Sequence, residues 1–254
     1  MKKYAVITGA SAGIGMEFAK ILAQKGYALI LIARRKERLQ KLAVTLNTAC
    51  EIITADLGKE EACYELIKCI QDKKIEIFIN NAGFGDCGLF VNADLEKEMD
   101  MVQLNIKAVH ILTKLILRKM QEENMGYILN VASSAGLMPA GPFMSTYYAT
   151  KAYVTSLTRG VAEELRQSGS NVYVGCFCPG PVDTEFNSVA NVEFALKGIS
   201  PQYCAKYALE QMVKRKVVII PTLQMKMAMT FGRFLPSTLY VRIAAHQQKK
   251  KMGN

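Results

Sequence analysis

A tyrosine and a lysine four residues apart, Tyr147 and Lys151, stand in a stretch of helical spacing downstream of a serine pair, Ser133-Ser134. On a helix, residues four apart share one face, so the ammonium can lie near the phenol. An unperturbed phenol titrates near ~10, and lowering it by about three units takes roughly 4 kcal/mol of preferential phenolate stabilisation. A neighbouring ammonium supplies part of this. The chemistry on offer is proton transfer to or from an oxygen, with a serine hydroxyl to polarise the acceptor. Tyr/Lys pairs of this spacing also occur on ordinary amphipathic helices; the upstream serine turn favours the chemical reading.

A second cluster lies near the N-terminus. In "TGASAGIG", Thr8 to Gly15, the glycines Gly9, Gly13 and Gly15 follow the apolar run Tyr4 to Ile7. They open a helical pattern with Ile14, Phe18, Ile21 and Leu22 on one face. Where a strand turns directly into a helix, free backbone N–H groups and a partial positive charge face the turn, and glycines let a pyrophosphate approach closely. Three turn glycines alone would be a weak signal. Their place after a first strand favours dinucleotide binding.

These residues need a scaffold, and the chain of 254 residues has the length of one α/β domain. Apolar runs at Tyr4–Thr8, Ala28–Ala33, Ile52–Ala55, Ile75–Asn80, Tyr127–Val131, Val172–Cys178 and Val217–Ile220 alternate with segments of helical spacing. Continuous apolar runs are what strands covered on both faces require. The expected fold is a single α/β domain of Rossmann type: a doubly wound parallel sheet of about seven strands with helices on both faces. Residues 1–221 are expected to form this catalytic domain, with 222–254 as a basic helical extension.

With these motifs in place, the sequence resembles the short-chain dehydrogenase/reductase family from about Lys3 to Pro221. The matches come in chain order: Thr8-Gly9-x-x-x-Gly13-x-Gly15, Asp56-Leu57, "NNAG" at Asn80 to Gly83, Asn105, Ser133-Ser134, Tyr147-x-x-x-Lys151, and "PGPVDT" at Pro179 to Thr184. Most follow a strand, on the edge where open α/β sheets bind ligands. The resemblance is closest in kind to hydroxysteroid dehydrogenases and 3-oxoacyl-thioester reductases. It implies that Tyr147 passes a proton to a carbonyl oxygen while hydride arrives from a nicotinamide. It further implies that Lys151 holds the nicotinamide ribose, Ser133 polarises the carbonyl, and Asn105 positions a water that feeds protons to Lys151. Counting back from Tyr147 by the commoner family spacing selects Ser134 instead; the strand end selects Ser133. By the same resemblance the dinucleotide contacts Gly9, Ser11, Gly13, Ile14, Gly15, Asp56, Leu57, Asn81, Ala82, Gly83, Pro179, Gly180, Val182 and Thr184, besides Tyr147 and Lys151.

Cofactor choice is written at the end of the second strand. A carboxylate there suits the ribose hydroxyls of NAD; here "LILIARRKERL" supplies Arg34 and Arg35, whose guanidinium forks suit a phosphate dianion. NADP(H) is therefore favoured over NAD(H), although the family's other basic residue, inside the glycine loop, is Ala12 here. The segment from about residue 183 to 200 is expected to fold over the substrate as a lid. Phe186, Val189, Val192, Phe194, Leu196 and Ile199 are candidates for an apolar pocket with Leu137, Met138, Phe143 and Met144.

In the tail, apolar residues are interspersed with Lys226, Arg233, Arg242 and the run Lys249 to Lys251, broken at Pro236. Such a segment can lie in a membrane interface, drawn by anionic lipid, or cap the cleft, or pack on a second subunit. The net charge of +10 permits nucleic acid as a partner, but the basic residues are dispersed and no nucleic-acid-binding motif is present, so none is expected. Seven cysteines without a C-x-x-C pair, and only two histidines, His110 and His246, argue against a disulfide framework and a metal site. With no secretion signal and no window of eighteen apolar residues, a cytoplasmic protein is expected, with peripheral membrane contact through the tail as an option. The expected activity is interconversion of a hydrophobic ketone or aldehyde with its alcohol, in a homodimer or tetramer as the resemblance implies. The alternative is a non-catalytic dinucleotide-binding scaffold or redox sensor.

Overall fold

The structure is a computed structural model and describes residues 2–190, 198–232 and 234–251. Seven parallel strands form one sheet in the order β3-β2-β1-β4-β5-β6-β7: β1 (Tyr4–Thr8), β2 (Ala28–Ala33), β3 (Cys50–Thr54), β4 (Ile75–Asn80), β5 (Gly126–Val131), β6 (Val172–Phe177) and β7 (Val218–Ile219). The helices between them are α1 (Gly13–Gln24), α2 (Lys36–Thr45), α3 (Glu60–Cys69), α4 (Leu95–Val102), α5 (Val109–Glu122) and α6 (Ser145–Gln167), then α7 (Phe186–Val189) and α8 (Pro201–Val213). Two further helices, α9 (Leu223–Gly232) and α10 (Ser237–Lys251), follow β7.

Strand alternation explains both layers. In β1, Ala5 and Ile7 face α1 and α8, meeting Phe18, Leu22 and Leu209. Val6 faces the other way, into a cluster with Leu66 of α3, Leu112 and Ile116 of α5 and Leu165 of α6. Apolar side chains on both faces bury both faces, which is why the strands read as unbroken apolar runs.

Pairing moved some strand ends. β3 begins at Cys50 rather than Ile52 because the ladder with β2 runs from Leu29 opposite Cys50 to Ala33 opposite Thr54. β7 shrinks to Val218 and Ile219, the two residues that pair with Cys176 and Phe177.

The order reverses between β1 and β4, so the chain leaves these two neighbouring strands toward opposite faces and opens a crevice at their C-terminal ends. A buried polar chain fixes the helices beside it. Asn80 Nδ2 donates to Thr113 Oγ1, Thr113 Oγ1 donates to Asn130 Oδ1, and Asn130 Nδ2 donates to Thr158 Oγ1, at 3.4, 3.1 and 3.0 Å. This ties β4 and β5 to α5 and α6 in a low-dielectric layer, where an unmade bond is costly.

Candidate functional site

The crevice is a cavity of about 380 Å³. Its floor is built by a lock between the first and fourth strands. Buried Thr8 Oγ1 accepts the N–H groups of Asn81 and Ala82, both at 2.9 Å, and Asn81 Nδ2 returns bonds to the carbonyls of Thr8 at 3.0 Å and Gly9 at 3.3 Å. Gly9 is in the left-handed region at φ +65°. A methyl group on Gly15 would stand 2.3 Å from the Gly9 carbonyl, so α1 can begin this close to the strand only with glycine there. The N-cap, Ala12, supplies no side-chain bond, which leaves the first N–H groups of α1 free toward the cavity.

Gly9, Ser11, Gly13, Ile14, Arg34, Arg35, Asp56, Leu57, Asn81, Ala82 and Gly83 line this cavity, as do Ser133, Tyr147, Lys151, Pro179, Gly180, Val182 and Thr184. Two expected residues stand behind its wall. Gly15 serves the packing of α1 on β1. Asn105 is fully buried in a stretch of π-helix, Gln103–Ala108, where it accepts from the Phe84 N–H at 3.1 Å and donates to the Phe84 carbonyl at 2.8 Å and Thr150 Oγ1 at 3.1 Å. The widened π turn brings this amide under the glycine turn, where a methyl on Gly83 would meet both Asn105 Oδ1 and Lys151 Nζ.

Tyr147 and Lys151 lie on one face of α6, with Nζ 5.9 Å from the ring centre. Nζ donates to the Val131 carbonyl at 2.9 Å, so the end of β5 fixes the lysine. Burial pushes the Tyr147 phenol up to about 12, against a hydrogen bond with Ser133 that pulls it down. Burial pushes Lys151 down to about 8. Ser133 Oγ also accepts the Ala135 N–H at 3.1 Å, while Ser134 uses its own N–H to hold the Pro179 carbonyl at 2.8 Å. Of the two serines, Ser133 is the one whose hydroxyl eases the phenol's proton affinity down.

The apolar pocket differs from expectation. Met144, Phe186 and Val189 line it, and Phe186 packs at a tilt against Tyr147, with 5.5 Å between ring centres. Leu137, Met138, Phe143 and Ile199 do not. Leu137 packs with Val109, Val154 and Cys178, and Met138 packs behind Tyr147 and Tyr148. Phe143 sits under Lys249, and Ile199 is tied by its N–H to Pro181. Val192, Phe194 and Leu196 lie outside the described residues, as does Arg233.

Several lining residues carried no sequence signal. Phe84 and Tyr148 belong to the wall, and so does Gln248 of α10, only 2% exposed, whose Nε2 donates to Tyr148 Oη at 2.5 Å. The amide oxygens of Gln248 and of Asn187 in α7 are buried without a hydrogen-bond partner among the described residues. Arg38, one turn beyond the arginine pair, forms a salt bridge with Glu185, as Arg35 does. The residues present fit a dinucleotide: a glycine-rich turn at a helix start, with Asp56 and the basic side chains of Arg34 and Arg35 lining the same cavity.

A family model described as short chain dehydrogenase matches residues 3–193. A very-long-chain 3-oxoacyl-CoA reductase of Anas platyrhynchos is 34% identical over 200 residues, 75% of this chain and 63% of that protein, so the chain spans less than two thirds of that relative's length. An uncharacterised oxidoreductase of Staphylococcus aureus is 34% identical over 215 residues, 82% of this chain and 91% of that protein. Among solved structures, a short-chain dehydrogenase from Sphingobium yanoikuyae in complex with NADPH superposes with a TM-score of 0.82 at 32% identity, covering 92% of this chain and 93% of that one.

Proposed function

Because the chain belongs to the short-chain dehydrogenase family of oxidoreductases, we propose that it interconverts a ketone or aldehyde with its alcohol using NADP(H). The observation that carries this reading is the buried cluster of Tyr147, Lys151 and Ser133 at the mouth of the crevice. When bound, the nicotinamide supplies or accepts the hydride. Everything else falls to the chain's own residues.

Tyr147, protonated at neutral pH, gives its proton to the carbonyl oxygen in the reducing direction and takes it back in the other. Ser133, beside the phenol, polarises that oxygen. Lys151 offers a cation beside the ring that favours phenolate, and its proton is the easier to give up because burial lowers its affinity. Asn105 is held to the backbone of Phe84 below the Gly83 turn that it shares with Lys151, and in this reading it positions a water that feeds protons to Lys151. The scaffold alternative would not require these groups to be buried together.

Arg34 and Arg35 on the cavity wall support NADP(H) over NAD(H), with Arg38 beside them. Phe84, Met144, Tyr148, Phe186 and Val189 make the substrate end largely apolar, which supports a hydrophobic substrate.

Peripheral membrane contact belongs to the same proposal. No described helix is long and apolar enough to cross a membrane. Yet Leu223, Met227 and Phe231 of α9 are exposed at i, i+4, i+8, as are Leu239 and Ile243 at i, i+4 on α10, with Phe234 and Leu235 between the two helices. From residue 222 onward the sequence has basic residues and no acidic one. An exposed apolar stripe flanked only by cations suits an anionic lipid surface.

The test of the reaction is consumption of NADPH and NADH against steroids, 3-oxoacyl thioesters, diketones and aldehydes, with Tyr147→Phe beside the wild type. NADPH-selective turnover that falls by about 10²- to 10⁴-fold in the variant is expected. Turnover undiminished in the variant refutes Tyr147 as the proton donor.

A further inference from the structure

At the adenosine end of the cavity an anion site is already filled, and its occupant is part of the chain. Arg35 Nη1 donates to Glu185 Oε2 at 3.0 Å and Arg38 Nη1 donates to Glu185 Oε1 at 2.5 Å. Arg35 also donates, through Nη2, to Ser11 Oγ at 3.4 Å. These groups come from three separate segments: the glycine turn, the start of α2, and the residue just before α7. Ser11, Arg35 and Glu185 all line the cavity. Each carboxylate oxygen is taken by a different guanidinium, which is how two arginines would share the oxygens of a phosphate monoester.

All three charged side chains are about half exposed, so water screens the pair and the contact is exchangeable. A phosphate dianion brings twice the charge of a carboxylate and more acceptor oxygens. It can therefore displace Glu185, whereas an unphosphorylated ribose cannot compete for these donors in the same way. Glu185 directly precedes Phe186, which packs on Tyr147, so the contact also links this site to the segment over the reactive phenol.

We propose that Glu185 is an intramolecular stand-in for the cofactor's 2′-phosphate, occupying the Arg35–Arg38–Ser11 site until a 2′-phosphorylated ligand displaces it. This rests on the NADP(H) reading given above. Two consequences follow. Glu185 lowers affinity for the phosphorylated cofactor selectively, and arrival of the phosphate frees the start of α7.

The experiment uses the full chain and binding alone. Isothermal titration calorimetry compares adenosine 2′,5′-bisphosphate with adenosine 5′-monophosphate on wild type, Glu185→Gln and an Arg35→Ala/Arg38→Ala double variant. Hydrogen exchange of residues 183–190 is followed with and without the bisphosphate. Glu185→Gln is expected to bind the bisphosphate about 5- to 10-fold more tightly, with monophosphate affinity unchanged. In wild type the bisphosphate should speed exchange in 183–190; in Glu185→Gln that exchange should be fast from the outset.

The two failures are distinguishable. If the arginine variant loses bisphosphate affinity but Glu185→Gln gains none, Glu185 is no competitor and only this inference falls. If the arginine variant binds the bisphosphate as well as wild type does, the site is not one for a 2′-phosphate, and both the inference and the NADP(H) preference fall.

Discussion

Lys151 Nζ lies 5.9 Å from the centre of the Tyr147 ring, and its hydrogen bond goes to the Val131 carbonyl at 2.9 Å. The amine is thus held by a strand end while it faces the phenol, in a buried place that weakens its hold on its proton. Burial pushes its affinity for a proton down to about 8 and pushes the phenol's up to about 12.

Stability should follow from that pair. Between about pH 8 and the ordinary lysine value of 10.5, the unfolded chain keeps a proton that folded Lys151 has lost, so Lys151 makes stability rise with pH. Between 10 and about 12 folded Tyr147 keeps a proton that the unfolded chain has lost, and its contribution makes stability fall. Lys151→Met should remove a desolvation cost of up to about 3 kcal/mol at pH 7, less roughly 1 kcal/mol for the bond lost at Val131. Urea unfolding is expected to show the variant more stable at pH 7, inactive, and without that advantage by pH 10.5. A variant less stable at pH 7 would contradict this account.

Gly136 is where the serine turn touches α6. A methyl group there would stand 2.2 Å from the Lys151 carbonyl and 2.6 Å from Thr155 Oγ1. Gly136→Ala should therefore push α6 from the turn, costing about 1–3 kcal/mol in stability. Turnover should fall at least tenfold, while NADPH binding falls less. Wild-type turnover in this variant would show that the contact can relax without moving Tyr147.

Gln248 buries an unpaired amide oxygen at the cavity wall, so its gain in native stability is small. Gln248→Leu is expected to change stability by less than about 1 kcal/mol, to leave NADPH affinity unaltered, and to change KM among substrates that differ in hydrogen-bonding groups. Steady-state kinetics over the same substrate panel would reveal it. A uniform loss of kcat with KM unchanged would point to a role at the reacting centre instead.

The exposed stripes of α9 and α10 predict co-sedimentation with phosphatidylglycerol vesicles, weaker binding to phosphatidylcholine, and release as salt rises toward 0.5 M, where screening shortens to about 4 Å. Phe231→Asp with Phe234→Asp should abolish it without affecting turnover of a water-soluble substrate. Binding that survives the double variant would place the lipid contact elsewhere.

Much of this molecule is legible locally. Glycine spacing after a first apolar run, unbroken apolar strands, and a tyrosine and lysine one helical turn apart are properties of short segments. The backbone's few allowed conformations convert them into a strand, a turn and a helix face without help from distant residues. The parallel seven-stranded sheet follows from their alternation. Residues such as Gln248 and Glu185 were not legible in this way. Gln248 meets Tyr148 across 100 residues, and Glu185 meets Arg35 across 150. No period or composition in either segment encodes its partner, because the partner is set by how α10 and α7 are rotated and docked.

The same reason explains the misplaced pocket residues. Apolar side chains such as Leu137 and Ile199 have the right chemistry for a substrate wall, but hydrophobicity is non-directional and says nothing about which buried surface it will meet. Leu137 packs into the cluster of Val109, Val154 and Cys178, and Ile199, tied by its N–H to Pro181, packs into the core beside α1 and α8. The sequence by itself determined the strand-and-helix order and the residue types at the sheet's C-terminal edge, since both are encoded over short distances. Only the tertiary structure decided which serine meets the phenol, which residues close the cavity, and which carboxylate sits on the arginines, because each depends on packing between segments far apart in the chain.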